Sequence, residues 1–202
     1  IRMMDKAPGL DYEVREIIHL PEKAGEQALI EIDYIYRGAR ADGVRRELRH
    51  QSLTSYVEDR CALFSYIYGM NMCAIPQMMD DRKNNEITIS TVVTTENPWH
   101  RTGTPFEKVF FSPESGFDYV LDDPEYRRDF PYDLGDVREG RITTLIKTDY
   151  QLDLPKSGKR WDFGGLSLSF TPRFTADGYE AVRDYTVTRT WLTAEEKMAL
   201  DR

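Results

Sequence analysis

The residue types that a cysteine hydrolase or acyltransferase needs are all present in this chain. It contains two cysteines, Cys61 and Cys73, and three histidines, His19, His50 and His100. Such an enzyme requires a thiolate, a histidine that activates it, and an acid or amide that orients the histidine. No helix is predicted to start directly after Cys73, although a helix amino end is one feature that activates such thiols. We therefore predict no catalytic residue: Cys61 is expected on an apolar helix face, and Cys73 is a packing residue or an ordinary free thiol.

Metal and cofactor sites are not predicted either. The sequence has no CxxC, HxxxH or HExxH spacing, which zinc sites commonly show. Asp80 and Asp81 could hold a cation together with Asn84 and Asn85, but EF-hand spacing is absent. A solvated turn is the simpler interpretation of this acidic pair. No glycine-rich phosphate loop is present, because the glycines at 164 and 165 lack a following lysine and helix.

Composition and charge exclude several classes of protein. Hydrophobic residues make up 40% of the 202 residues and charged residues 31%, as in a well-solvated folded protein. A net charge of −8 provides no overall attraction for nucleic acid or for an anionic membrane surface. No apolar run approaches the ~20 residues of a transmembrane helix. Because residue 1 is isoleucine, we expect that the chain was cut from a longer protein.

The first half alternates as β-strands do. In residues 28–36, Ile30, Ile32, Tyr34 and Tyr36 fall on one side and are expected to face the core. Residues 12–20 and 28–36 should form an antiparallel hairpin that shares a sheet with residues 86–95, with a helix at 52–68 packed on it. The other expected elements are a short helix at 42–49, an irregular connector at 70–79, turns at 80–85 and 96–105, and a strand at 106–111.

The second half is patterned more loosely. Three prolines interrupt residues 112–140, which we interpret as a connector. Strands are predicted at 141–154, 166–171 and 179–191, with turns at 156–159 and 176–178, and a last helix begins at 192. The predicted fold is α+β and mostly antiparallel, with β-sandwich-like sheets, an inserted helical pair and a C-terminal helix. A boundary near 115 would separate a β-β-α-α-β-β subdomain (1–115) from a connector and second β subdomain (116–202), unless the two form one continuous domain.

The segment from 37 to 49 joins a strand to a helix and contains five arginines. Gly38 is expected to adopt a backbone angle that a β-carbon disfavours, and Asp42 to cap the helix or pair with Arg45 or Arg46. An ion pair from Arg37 or Arg46 to the acidic turn would hold this segment to the sheet. A structural latch is thus predicted from six residues, called the latch residues below: Arg37, Gly38, Asp42, Arg46, Asp80 and Asp81. For the cluster of Arg37, Arg40, Arg45, Arg46 and Arg49 as a whole, a solvated helix face is the simplest interpretation. Pairing with Asp80 and Asp81 within the chain comes next, and a patch for an acidic partner is third.

Two stretches, YRGARADGVR (36–45) and DDRKNNEITI (80–89), resemble the C-terminal region of bacterial transglutaminase-like proteins. The later ITTLIKTDYQLDLP and VTRTWLTAEE are similar to that family's closing strands and last helix, so the resemblance covers nearly the whole chain. In this family a β-rich domain comes first, a papain-like transglutaminase or protease core follows, and a region like this one comes last. The Met-rich NMCAIPQMM (71–79) departs from the family's plainer linker.

The resemblance implies a non-catalytic accessory domain. The family's catalytic Cys, His and Asp belong to the core, which would lie upstream of Ile1 and would be this domain's partner. It also implies a periplasmic or extracellular location, although composition alone is equally compatible with the cytoplasm. The alternative is a stand-alone β-sandwich module that binds peptide or glycan through an exposed strand edge or an aromatic patch. Trp99, Trp161 and Trp191, near predicted strand ends, are candidates for such a patch.

Overall fold

The structure, a computed structural model, describes most of the chain. The described residues are 10–21, 26–68, 70–72, 74–95, 99–101, 108–110, 132–133, 139–148, 154–163, 165–176, 178–189 and 191–193.

These residues form two helices and thirteen strands. The helices are α1 (Ala39–Glu47) and α2 (Leu53–Tyr68). The strands are β1 (Tyr12–His19), β2 (Ala28–Arg37), β3 (Met70–Met72), β4 (Gln77–Asp81), β5 (Glu86–Thr95), β6 (Trp99–Arg101), β7 (Lys108–Phe110), β8 (Tyr132–Asp133), β9 (Glu139–Lys147), β10 (Lys159–Phe163), β11 (Leu166–Thr175), β12 (Gly178–Val187) and β13 (Trp191–Leu192).

Nine strands share one sheet in the order β10-β11-β12-β9-β1-β2-β5-β3, with β4 also paired to β5. All of its neighbours are antiparallel except β1 and β9, which run parallel from Tyr12↔Gly140 to His19↔Lys147. Strands on both sides of residue 115 therefore belong to the same sheet. Two further pairs, β6–β7 and β8–β13, form separate two-stranded sheets.

One face of the nine-stranded sheet, called the core face below, is buried from β11 across to β5. Because side chains alternate along each strand, directly paired residues lie on the same face. One such row crosses four strands with Ile142, Val14, Tyr34 and Ile89, each at most 1% exposed. The apolar alternation of β2 predicts this face correctly, and most of the hydrophobic core lies on it.

Both helices pack on the core face near β2 and β5. Helix α1 buries Ala41 and Val44, and α2 buries Tyr56 and Val57. The Tyr56 hydroxyl donates to the Tyr36 hydroxyl of β2 at 3.1 Å, which ties α2 to the sheet. The structure thus places the hairpin, β5 and the helix together as the sequence predicts. The side chains of residues 61–68, including Cys61, lie outside the described part.

Several element predictions need correction. Residues 70–79 are not an irregular connector, because β3 and most of β4 form there and both pair with β5. Residues 99–101 form β6 where a turn was expected, and β10 (159–163), which was not predicted, begins at the last residue of a predicted turn. Residue 192 lies in β13 and residue 193 is not helical, and the predicted terminal helix beyond 193 lies outside the described residues. Most of the predicted connector at 112–140, and Cys73, also lie outside them.

The α+β, predominantly antiparallel class is confirmed. The arrangement of the sheets differs in one respect from the expected sandwich-like sheets: nine of the thirteen strands are joined in one hydrogen-bonded sheet. Among the described helices, none combines the length and apolar character that crossing a membrane would require.

Candidate functional site

The corner where β2 enters α1 brings together three of the six latch residues, Gly38, Asp42 and Asp80. Gly38 has φ +57° and ψ −131°, angles that residues with a β-carbon rarely adopt. Its N–H donates to the Asn85 carbonyl at 3.0 Å, and the Asn85 side-chain amide donates back to the Gly38 carbonyl at 3.2 Å. Asn85 itself has a positive φ of 48°, in the turn between β4 and β5. The two unusual backbone conformations therefore hold each other in place across two loops.

Arg45 is the residue that joins α1 to the β4–β5 hairpin. Its guanidinium donates to Asp80 through Nε at 3.1 Å and Nη2 at 2.6 Å, and to Asp42 through Nη1 at 2.9 Å. Nη1 also donates to the Asn85 side-chain oxygen. Only 15% of the Arg45 side chain is exposed, whereas Asp42 is 60% exposed, so the bond to Asp42 lies in contact with water. The five residues Gly38, Asp42, Arg45, Asp80 and Asn85 are called the Arg45 corner below.

The charges of the Arg45 corner stabilise one another. Hydrogen bonding from Arg45 holds the pKa of Asp80 below its ordinary value of 3.8. The same hydrogen bond to Asp80 raises the pKa of Arg45. Both shifts favour the charged forms, as expected for an ion pair with direct hydrogen bonds. The arrangement fixes α1 on the sheet.

Arg37 takes part in a different cluster, on the other face of the sheet. Its Nε donates to Glu86 at 2.7 Å, and its Nη2 donates to Glu13 at 3.1 Å. Arg37 is directly paired with Glu86 across β2 and β5, so Glu86 lies between Arg37 and Asp81. Burial alone would raise the pKa of Glu13, but hydrogen bonds and charge from Arg15 and Arg37 lower it on balance.

The predicted ion pair from Arg37 or Arg46 to the acidic turn is therefore replaced by Arg45–Asp80. Asp80 shares the core face with α1, because it pairs with Ile87, which pairs with Tyr36, whereas Arg37 lies on the opposite face. Arg46 is exposed on α1.

Asp42 has one of the two roles predicted for it, whereas the role of Asp81 differs from the expected ion pair. Asp42 lies in the first turn of α1 and pairs with Arg45, and the N-cap position is Gly38. Asp81 closes the β4–β5 turn by accepting hydrogen bonds from the backbone N–H of Lys83 and Asn84 at 3.0 and 3.1 Å. The side-chain hydrogen bond from Asn84 lowers the pKa of Asp81 most, and the two backbone hydrogen bonds lower it further.

A second polar cluster lies in the middle of the core face and was not predicted. Glu16 of β1 has a fully buried side chain and accepts a hydrogen bond from the Thr144 hydroxyl of β9 at 2.6 Å. Arg183 of β12 donates to Thr144 at 2.5 Å and approaches the Glu16 carboxylate at 3.7 Å. The three residues, called the buried polar centre below, connect three adjacent strands. The sequence signal is Glu16 itself, which interrupts the apolar series of Tyr12, Val14 and Ile18.

The histidines considered for catalysis are not brought together in the described part. His19 pairs with Glu31 across β1 and β2 at 2.7 Å, and both side chains are exposed. His50 is exposed in the turn between the helices, and the His100 side chain is not described. Within the described residues, no group of three or more His, Cys, Asp or Glu residues is arranged to hold a metal ion. Comparisons with protein-family models, with curated proteins and with solved structures found no match for this chain.

Proposed function

We propose that this chain is a non-catalytic accessory domain of a bacterial transglutaminase-like protein, in which the catalytic cysteine belongs to a separate papain-like core. The domain acts as a rigid β-rich body attached to that core. Its contribution is architectural, and the acyl transfer or peptide hydrolysis takes place on the core.

The observation that supports this proposal is the pairing within the Arg45 corner. The two stretches that carry the family resemblance, 36–45 and 80–89, contact one another through Gly38, Arg45, Asp80 and Asn85. Their polar groups are hydrogen bonded to each other, which is how residues that maintain a fold are arranged. A shared sequence pattern in these stretches is then explained by the need to join α1 to the β4–β5 hairpin.

The partner in this proposal is the core domain of the same parent protein, and the location is the periplasm or the cell exterior. Both follow from the resemblance. Because the chain has a net charge of −8, nucleic acid, which is also negatively charged, is a poor partner for it.

The test begins with the reading frame that encodes this sequence, which should extend upstream into a papain-like core with a cysteine motif. In the full-length protein, replacing the core cysteine by alanine should abolish turnover. Replacing Cys61 and Cys73 by serine should preserve turnover per folded molecule. A frame without such a core, or a loss of turnover in the Cys61→Ser/Cys73→Ser variant with an unchanged circular dichroism spectrum, would overturn the proposal.

A second candidate function, a peptide- or glycan-binding module, is supported by β10. This strand is one edge of the nine-stranded sheet, and its Trp161 is 39% exposed. Exposed aromatic rings are common contacts for sugars and extended peptides. If this candidate is correct, oligosaccharides or extended peptides should quench tryptophan fluorescence in the isolated chain but not in Trp161→Ala. Identical fluorescence titrations of the parent chain and of Trp161→Ala would refute this second candidate function.

A further inference from the structure

The buried polar centre lies at the seam where two parts of the sheet meet. Strands β1, β2 and β5 come from the first half of the chain and β9 to β12 from the second, and the pairing of β1 with β9 joins them. Glu16 is directly paired with Thr144 across this seam, and its carboxylate accepts the Thr144 hydroxyl at 2.6 Å. Arg183 of β12 donates to the same hydroxyl oxygen and lies 3.7 Å from the carboxylate. Glu16 and Thr144 are 1% and 2% exposed, so bulk water does not replace these partners.

The apolar patterns of β1 and β9 leave the register of the seam open. A shift of β9 by one residue would turn its apolar side chains to the wrong face, but a shift by two keeps every side chain on its own face. Two such registers exist: in the Ile18 slip Thr144 would move opposite Ile18, and in the Val14 slip it would move opposite Val14. Backbone hydrogen bonds re-form in both. The bond from the Glu139 N–H to the Asp11 carboxylate would be lost, but it lies at the partly exposed end of the seam, where water can replace it.

Charges on the opposite, polar face of the sheet exclude one of these two slips. In the observed register Glu13 faces Arg141. The Ile18 slip would set Arg15 opposite Arg141, and like charges directly opposite each other in a sheet are unfavourable. It would also set Glu13 opposite Glu139. The Val14 slip would set Glu13 opposite Thr143 and would create no like-charged pair between β1 and β9, so these charges do not prevent it.

We infer that the buried polar centre is a register lock, which keeps β9 out of the Val14 slip. In that slip the Glu16 carboxylate would face Ile146 and lose the Thr144 hydroxyl. It would also lie about 6.6 Å further along the strand from Arg183, because each strand residue spans about 3.3 Å. A buried carboxylate without its partners is strongly unfavourable, and buried polar groups fix the register of other packed structures in this way. Because β12, β11 and β10 follow β9 in the sheet, the lock also fixes where Trp161 lies relative to the two helices.

Removing all three polar side chains tests whether they set the register. In Glu16→Leu/Thr144→Val/Arg183→Leu, called the apolar variant, no charge stays buried at the seam, and replacements of this kind are often neutral for stability. The apolar variant is therefore expected to fold and to populate the Val14 slip. Thr91→Val is the matched control, because Thr91 is also buried on the core face but lies in β5, two strands away from Glu16. It should keep the observed register.

Disulfide trapping within the full chain, in a Cys61→Ser/Cys73→Ser background, reports the register. Thr143→Cys on the polar face is combined in turn with Arg15→Cys (the observed pair), Glu13→Cys (the Val14-slip pair) or Ile17→Cys (the Ile18-slip pair). Facing Cα atoms of neighbouring strands lie about 4.8 Å apart, whereas those two positions out of register lie about 8 Å apart, beyond the roughly 7 Å that a disulfide spans.

The parent chain and the Thr91→Val control should trap the observed pair alone. In the apolar variant the Val14-slip pair should form at least tenfold more than in the parent chain. The Ile18-slip pair should stay at background, because like charges still oppose that register. The inference is overturned if the apolar variant traps only the observed pair, or traps both slipped pairs equally. It is also overturned if the apolar variant does not fold, since the polar centre would then be required for folding rather than for register.

Moving the glutamate along β1 provides a second, independent test. Val14→Glu/Glu16→Val keeps the composition and the charge of the chain, and it places a carboxylate opposite Thr144 only in the Val14 slip. Trapping should therefore shift from the observed pair to the Val14-slip pair. An unchanged register in this protein, or loss of its fold, would contradict a lock that works through the position of one carboxylate.

Discussion

Replacing Gly38 by alanine tests whether the turn between β2 and α1 depends on glycine. The backbone at Gly38 has φ +57° and ψ −131°. A β-carbon built there meets no atom within 4 Å, so the expected cost is backbone strain alone. Residues held in such conformations cost about 1–3 kcal/mol each. For a chain of this size, each kcal/mol lowers Tm by roughly 2–4 °C.

Gly43→Ala is the matched control because Gly43 lies inside α1. A β-carbon there has Arg46 Nη2 as its nearest neighbour, at 4.0 Å, and its φ is not in the positive range. Alanine should stabilise the helix by about 0.5–1 kcal/mol. The same substitution at two glycines five positions apart is thus expected to have opposite effects on the free energy of unfolding.

Urea unfolding followed by far-ultraviolet circular dichroism measures both variants. The reasoning is refuted if Gly38→Ala is as stable as the parent chain, or if both variants shift in the same direction. A Gly38→Asn variant should not recover the loss, because asparagine tolerates positive φ mostly where ψ is about +30 to +60°, and ψ at Gly38 is −131°.

The remaining predictions concern the ion pairs and the buried polar centre. Arg45→Met should lower the free energy of unfolding by roughly 1–3 kcal/mol. In the Arg45→Met/Asp80→Asn double variant, the Asp80→Asn change should lower it little further. Strictly additive effects in this double-mutant cycle would show that Arg45 and Asp80 are not coupled. Glu16→Ala should lower the free energy of unfolding by roughly 3–5 kcal/mol because it removes the carboxylate beside a buried guanidinium. Thr144→Val should lower it by about 1–3 kcal/mol. If thermal unfolding shows both variants to be as stable as the parent chain, the role of the buried polar centre is disproved. The pKa values of Glu13 and Asp80 are lower in the folded chain than their ordinary values of 4.5 and 3.8, so the unfolded chain takes up protons first as the pH falls. Stability should therefore be fully present near neutral pH and decline below about pH 4.5, and in Arg45→Met the part of this decline that is due to Asp80 should be smaller.

The strands that could be predicted from the sequence are those with strict apolar alternation. Strand β5 occupies residues 86–95 as expected, and β2 differs by one residue at its end. Strands β3 and β4 could not be predicted, because Pro76 interrupts the segment and its methionines follow no period. These strands form because β5 has a second edge to which a neighbouring segment can pair.

The latch residues show a similar limit. The sequence indicates that Gly38 and the acidic pair meet near one corner, since strand order brings β2 beside β5. It does not indicate which arginine reaches which acid, because that depends on the face each side chain occupies. The register places Arg37 opposite Glu86 and leaves Asp80 on the side of α1, where Arg45 meets it.

The parallel pairing of β1 with β9 has a consequence for how this protein folds during synthesis. Glu16 and Thr144, which join these strands, are 128 positions apart. The β1–β2–β5 part can assemble as soon as residue 95 has left the ribosome, because both partners of each of its pairings have then been made. One side of β1 then remains without a neighbour until more than forty further residues have been made. Only when β9 arrives can β12, β11 and β10 join the sheet, one beside the other. During that interval β1 is an exposed edge of the incomplete sheet, and this is the stage at which we expect the chain to depend most on chaperones.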